Sequence, residues 1–208
     1  MFSATADANN AKLWSDSVLV WARTNASLPA HNPFVNIGSF ETLKSGGPTR
    51  TILVYWKKLE NWQHNGPNFT YIAWQEDNSK FVTTDGDKSY AKISNLTNIS
   101  QDVYIRAENV VGHAANPSKV EIPQSSFIVD LVPKSVTKVW RGDGRYRVAW
   151  RHPVQYRRQE IVTYTLFFCK DKAGKDRPYQ CDGVLDWIEV RKNGSFFVEI
   201  INFDTKNN

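Results

Sequence analysis

The two cysteines and the asparagine sequons are the residues of this chain that could carry chemistry. Cys169 and Cys181 are separated by eleven residues, and the first ends a predicted strand while the second begins the return strand. A disulfide between them is sterically reasonable, would stabilise the fold by about 3 kcal/mol, and needs an oxidising compartment. Two buried free thiols are the alternative.

Five Asn-x-Ser/Thr sequons are consistent with the same compartment, because such sites accept N-linked glycans in secreted chains. The content of seventeen Asn, together with that of Ser and Thr, would produce about two sequons by chance. Coincidental sequons in a cytosolic protein are the alternative. Asn68 opens a predicted strand and is expected to be less accessible than the others. The predicted N-glycosylation sites are Asn25, Asn68, Asn95, Asn98 and Asn193.

Polar groups that could catalyse a reaction are too scattered to predict an enzyme. The four histidines lie in different loops without a Ser or Cys nucleophile beside them, and no phosphate-cradling glycine loop occurs. Two cysteines without paired histidines give no tetrahedral zinc set, so we expect no metal and no other cofactor. We expect no nucleic-acid binding either, because neither a stacking platform nor a finger motif accompanies the basic residues.

The elements that must position these residues are β-strands. Eight Trp, eight Tyr and eleven Phe among 208 residues favour a pleated, half-buried surface. Apolar and polar side chains alternate between Gly- and Pro-rich turn signals, and no run of eight or more residues has helical spacing. This pattern predicts an all-β chain of antiparallel β-sandwiches. The predicted strands include 51–56, 69–74, 101–107, 145–151 and 161–167.

An internal repeat of about one hundred residues predicts tandem modules. A second set of similar residues recurs at an offset of 101 positions. This offset places Met1 near the penultimate strand of a module. The predicted pieces are the C-terminal strands of a truncated module at 1–28, a whole module at 32–123 and an incomplete module at 127–208. A sandwich cut through its middle exposes strand edges, so we expect a fragment of a longer protein. The repeated pattern is Ile52, Val54, Trp56 and Tyr71, and then Tyr146, Val148, Trp150 and Tyr164.

These residues resemble the fibronectin type III module. That family has a Trp in the second strand, a Tyr in the third, a Leu before the corner that joins the two sheets, and an Ala-x-Asn-x-x-Gly run. The family's corner Tyr should lie near Gln101, so the resemblance implies that the corner is held in another way. The run Ala107 to Gly112 matches the family's motif. The other matching residues, which the resemblance implies to be core positions of the modules, are Trp56, Tyr71, Leu96, Trp150 and Tyr164.

The N-terminal segment is similar to the Trp-Ser-x-Trp-Ser box of class I cytokine receptors. In that family the box closes the cytokine-binding module, and Pro29 and Pro33 stand where the hinge prolines would follow it. Residues 53–72 and 164–188 also resemble the ectodomain of the insect, JAK/STAT-coupled branch of these receptors. The degenerate box, whose residues the resemblance implies to be structural supports, is Trp14, Ser15, Asp16 and Ser17.

The resemblance implies a function in binding and geometry rather than catalysis. A helical cytokine would bind the upstream module, and the modules at 32–123 and 127–208 would be spacers that set the separation of two receptor chains, as in a receptor homodimer. The chain would lie on the extracellular side of the plasma membrane as part of a single-pass receptor. No window approaches twenty apolar residues, so the membrane would be reached only through a segment absent from this chain.

Two other functional classes fit the same modules. One is a tandem fibronectin type III adhesion protein that binds homophilically or through glycans. The other is a cytosolic scaffold, which glycans or a Cys169–Cys181 bridge would exclude.

Positive charge is concentrated late in the chain. Residues 131–180 hold twelve Lys and Arg against four Asp and Glu, whereas the whole chain has a net charge of +5. Arg145, Arg147 and Arg151 are expected on the outer face of one strand, with Trp187 on a neighbouring strand stacked over one of them. This stripe is either a heparin-like or partner-binding surface or a solvated sheet face.

Overall fold

The structure, a computed structural model, describes residues 24–76, 81–125, 133–152, 161, 163–170, 181, 184–191 and 197–201, without the side chains of 44–46 and 134. Two of the predicted sites therefore lie outside the described residues. They are the sequon at Asn193 and the degenerate box at Trp14, Ser15, Asp16 and Ser17.

The first sandwich contains eight antiparallel strands in two sheets. One sheet has the order β1-β2-β5, and the other has the order β4-β3-β6 with β7 and β8 both paired to β6. Alternating β-branched and aromatic residues build these strands, and Gly or Asn residues close the turns between them. The strands are β1 Phe40–Gly46, β2 Thr49–Tyr55, β3 Thr70–Gln75, β4 Phe81–Asp85, β5 Tyr90–Thr97, β6 Gln101–Asn109, β7 Gly112–His113 and β8 Ser118–Ile122.

The core of this sandwich lies between the inner faces of its two sheets. Trp56 and Tyr71 are fully buried with ring centroids 5.2 Å apart, and Leu96 is also fully buried. The Tyr71 hydroxyl accepts a hydrogen bond of 2.8 Å from the Leu59 amide, and burial raises the pKa of Tyr71 to about 12. Leu53 departs from the alternation, because it lies between the inward-facing residues of β2 and is nevertheless fully buried.

Among the described residues, the second sandwich has a smaller core than the first. Its described sheets have the orders β13-β10-β9 and β11-β12. Val148 and Trp150 are buried, and Trp150 lies 5.5 Å from the half-buried Tyr164 in an edge-to-face arrangement. Tyr146, which belongs to the repeated pattern and was expected on the inner face of its sheet, is only half-buried. The strands are β9 Lys134–Gly142, β10 Arg145–Arg151, β11 Thr163–Phe168, β12 Asp186–Arg191 and β13 Phe197–Ile201.

The structure confirms the prediction of an all-β chain of antiparallel sandwiches. One placement was wrong: Trp187 does not neighbour the arginine stripe. It lies on β12, which pairs with β11, and its ring contacts Phe167 at 5.9 Å. The strands that pair with β10 are β9 and β13, and Phe197 on β13 contacts Arg147 instead.

Candidate functional site at the N-terminal joint

The segment 24–33, here called the strap, crosses the end of the first sandwich and is bound to it by backbone hydrogen bonds. The Ser27 amide donates to the Asn65 carbonyl at 2.9 Å, and the Ala30 amide donates to the Gln63 carbonyl at 3.0 Å. The Asn65 side chain returns a bond of 2.9 Å to the Leu28 carbonyl. The middle of the strap, from Ser27 to Ala30, is therefore paired with the loop between β2 and β3.

Asn109, at the end of β6, is hydrogen-bonded to both the strap and this loop. Its side-chain nitrogen donates to the carbonyls of Ser27 at 2.7 Å and His64 at 2.8 Å. Its side-chain oxygen accepts from the Val111 amide at 2.9 Å, and the residue is only 5% exposed. The buried carboxamide forms all of these hydrogen bonds only when the surrounding backbone adopts this one arrangement, so Asn109 fixes that arrangement.

Asn32 fixes the other end of the strap in the same way. Its side-chain nitrogen donates to the carbonyls of Ala115 at 2.5 Å and Asn116 at 3.0 Å, and its side-chain oxygen accepts from the Ala107 amide at 2.8 Å. The Ser118 hydroxyl adds a bond of 2.6 Å to the Pro33 carbonyl. The strap is thus also attached to the segment that connects β6 to β8.

Glycine at two positions allows the strap and the neighbouring loops of the first sandwich to pack closely. A Cβ atom on Gly66 would lie 2.8 Å from the side-chain nitrogen of Asn109, so a larger residue would displace that side chain. Gly112 has a φ of +144°, which L-residues rarely adopt, and a Cβ there would lie 3.0 Å from the Leu28 side chain. The strap therefore depends on glycine at both positions.

His64 lies beside the strap in a partly desolvated position. Its ring stacks on Phe69 with centroids 3.7 Å apart, and its Nε2 atom is buried without a hydrogen-bond partner among the described residues. Burial is the main cause that lowers the pKa of His64, and the nearby Lys58 lowers it further, against a hydrogen bond to the Leu59 backbone that raises it.

Arg50 holds the corner between β5 and β6, where the family would place a tyrosine. The side chain is 1% exposed, and burial lowers its pKa. Its guanidinium donates to the carbonyls of Thr97 at 3.2 Å, Ile99 at 2.8 Å and Pro123 at 2.7 Å. Gln101, at the position expected for the tyrosine, donates to the same Thr97 carbonyl at 3.1 Å.

Four of the predicted glycosylation sites fall within the described residues. Asn25, Asn68 and Asn95 are exposed, so Asn68 is more accessible than expected. Asn98 is half-buried, and its side-chain nitrogen donates to the Gly47 carbonyl at 2.8 Å. The sequence could not show this contact, because it depends on how the turn after β1 packs against the corner.

The predicted disulfide is present. Cys169 follows β11 directly, Cys181 precedes β12, and their sulfur atoms are bonded with a Cα–Cα distance of 5.4 Å. The bridge closes the loop between the two strands of the β11-β12 sheet.

Polar contacts also join the two sandwiches. Lys57, just after β2, pairs with Asp186 at 3.2 Å, and Asn36 donates to Glu189 at 2.7 Å. Both acidic residues lie on β12.

The described residues contain no group of three or more His, Cys, Asp or Glu placed to hold a metal ion. Within the same residues, no helix has the length and apolarity to cross a membrane.

In the first sandwich, a three-stranded sheet faces the sheet formed by β4, β3, β6, β7 and β8, with a Trp–Tyr pair between them. This is the arrangement of a fibronectin type III module. The sequence is 28% identical over 189 residues to a Drosophila melanogaster protein named "Cytokine receptor", an alignment that covers 87% of this chain and 14% of the fly protein. The chain therefore corresponds to a small part of that receptor. No family model matches the chain.

Two solved structures are also similar. The FN1–FN3 domains of chicken CNTN1 have 17% identity and a TM-score of 0.39, over 87% of this chain and 59% of that one. A two-domain fibronectin type III segment of chicken tenascin has 10% identity and a TM-score of 0.30, over 78% and 80% of the two chains. Because both TM-scores are low, the fold is assigned from the strand order and the core described above.

Proposed function

We propose that this chain is part of a cytokine-receptor ectodomain, in which its sandwiches form a stiff spacer. The named fly relative supports the receptor class. The observation that supports stiffness is the strap, because a hinge that is hydrogen-bonded to the module at Ser27, Leu28 and Ala30 cannot swing freely. The Asn109 carboxamide, which bonds both Ser27 and His64, is the centre of this joint.

The finer assignment is the insect receptor Domeless, which couples to JAK/STAT signalling. It is supported by the likeness of residues 53–72 and 164–188 given above. The pieces at 1–28, 32–123 and 127–208 would be the end of the cytokine-binding module, a whole spacer module and an incomplete spacer module. A helical cytokine would bind upstream, on the extracellular side of the plasma membrane, and the spacers would set the separation of a receptor homodimer. The chain itself would not be catalytic.

The first experiment tests stiffness on the chain itself. Amide hydrogen exchange of Ser27 and Ala30 should be slow in the native chain, because both amides are hydrogen-bonded to the loop after β2. Asn109→Ala removes the bonds to the Ser27 and His64 carbonyls, each worth about 1 kcal/mol. We therefore expect it to accelerate the exchange of both amides by roughly fivefold to thirtyfold. Asn61→Ala, at an exposed position in the same loop, is the matched control and should leave both amides protected.

The second experiment tests the receptor role. The matching segment of the fly receptor is replaced by this chain, and cytokine-dependent transcription is measured in cells at equal surface display. Native sequence and Asn61→Ala should signal, whereas Asn109→Ala should signal less. Full signalling by Asn109→Ala would reject the stiff spacer, and failure of the native segment would reject the receptor assignment.

A further inference from the structure

The outer side of the β9-β10-β13 sheet carries a row of arginines that the spacer function does not use. Val148 and Trp150 of β10 point into the core, so Arg145, Arg147 and Arg151 point to the opposite side. Arg141 reaches the same side from the end of β9. These four arginines define the basic face.

The charges of this face are poorly neutralised within the described residues. Arg141, Arg147 and Arg151 form no ion pair there, and Arg145 pairs only with the exposed Asp143, at 3.4 Å. Glu199 stands opposite Arg147 in the strand register without pairing to it. The first sandwich differs, since its Lys88, Arg106 and Lys119 all pair with carboxylates of their own sandwich.

Arg147 is held in a conformation suited to bind an anion. Its guanidinium lies over the Phe197 ring, 3.8 Å from the centroid. Stacking by the planar face leaves the N–H donors at the edge of the group, where they match the oxygens of an anionic group.

A shallow depression lies next to Arg147 on the basic face. It has a volume of about 540 Å³ and is open to solvent. Small side chains, Thr137 and Ala149, lie opposite each other in register on its floor. Its remaining lining residues are Val139, Arg141, Arg147, Trp150 and Phe197.

We propose that the basic face binds a sulfated glycosaminoglycan chain. Arg145 and Arg147 are two residues apart on one strand, about 7 Å, and Arg151 lies a further four residues on, about 14 Å. A linear polymer with repeated anionic groups can contact arginines in such a row, and its sugar rings can cover the apolar floor. An acidic protein would instead need a partner-sized interface of about 800 Å² on each side, whereas the arginines form a single row.

The test uses the oxidised chain and a heparin oligosaccharide of defined length, titrated at several salt concentrations. We expect saturable binding that weakens with salt, because each contact releases a counterion. Arg141→Gln with Arg147→Gln should weaken it by roughly tenfold or more and should flatten the salt dependence. Lys58→Gln with Lys92→Gln removes the same charge from the first sandwich and should change little. Arg141→Gln with Arg151→Gln, two exposed positions, repeats the test without disturbing the Arg147–Phe197 stack.

Three outcomes would overturn the proposal. One is no binding of heparin by the folded chain, and another is equal weakening by the variants of the two sandwiches. The third is binding of an acidic polypeptide such as polyglutamate in preference to heparin, which would assign the face to a protein partner. Because none of these measurements involves cytokine signalling, the proposal can fail while the spacer function stands.

Discussion

At the scale of single residues, Arg50 shows how a missing side chain can be replaced by an unrelated one. A buried guanidinium is costly to desolvate unless its donors are satisfied. Three carbonyls from the end of β5, the following turn and the end of β8 satisfy it here. One side chain therefore gathers three chain segments, more than a single hydroxyl can join.

Replacing Arg50 should be among the most damaging single changes in the first sandwich. Arg50→Ala removes the guanidinium from the Ile99 and Pro123 carbonyls, leaves the Thr97 carbonyl with the bond from Gln101, and opens a cavity beside the core. We expect a loss of about 3 kcal/mol in unfolding free energy. Chemical denaturation measures this loss. Lys92→Ala, which removes another long basic side chain at an exposed position of β5, serves as the control and should cost under about 0.5 kcal/mol. A comparable effect of the two changes would contradict the assigned role.

We expect His64 to make the stability of the first sandwich depend on pH. Its pKa in the folded chain lies below the ordinary value of 6.5, so the unfolded chain takes up the proton first as pH falls. The contribution of the neutral ring is complete above pH 6.5 and is lost as pH falls through the folded pKa.

The unfolding free energy of the native chain should therefore decrease from pH 7 to pH 5 more than that of His64→Phe, which keeps the ring stack on Phe69 but cannot titrate. Denaturant melts across this range measure the difference. Parallel curves for the two proteins would show that His64 does not contribute.

At the scale of strands and loops, the disulfide should matter only to the second sandwich. Reduction frees the loop between β11 and β12, and we expect a loss of about 3 kcal/mol there. Hydrogen exchange with and without reductant should show faster exchange in β11 and β12 and unchanged exchange in β3 and β6. Cys169→Ser with Cys181→Ser should behave like the reduced chain and be insensitive to reductant. Faster exchange throughout the chain would mean that the sandwiches unfold together.

The sequence predicted the strands better than it predicted the hydrogen bonds that attach the strap. The prediction of β10 as 145–151 agrees with the structure at both ends, because strict alternation marks a half-buried strand. The family motif includes Asn109, but nothing local in the sequence indicates that Asn109 and Asn65 bind the strap or that Asn32 attaches it to the module. Their partners lie up to 84 residues away, and such contacts follow only from the completed fold. Trp187 was misplaced for a related reason, since a run of alternating residues does not say which strand it pairs with.

At the scale of the whole molecule, the features on which the two proposals rest lie on different sandwiches. The first has the larger core and the clamped strap, and the second has the disulfide and the basic face. The polar pairs that join the sandwiches, Lys57 with Asp186 and Asn36 with Glu189, are exposed and contribute little to stability. The orientation of the sandwiches is thus less strongly determined than the strap.

The two attachments of the first sandwich lie at opposite ends of β6, about 30 Å apart. The chain enters beside Asn109 at one end, and it leaves beside Arg50, which bonds the Pro123 carbonyl, at the other. A tension applied between the neighbouring segments would run along the strands and load many hydrogen bonds in shear at once, instead of peeling them apart in turn. The sandwich would then resist a mechanical pull better than its modest size suggests.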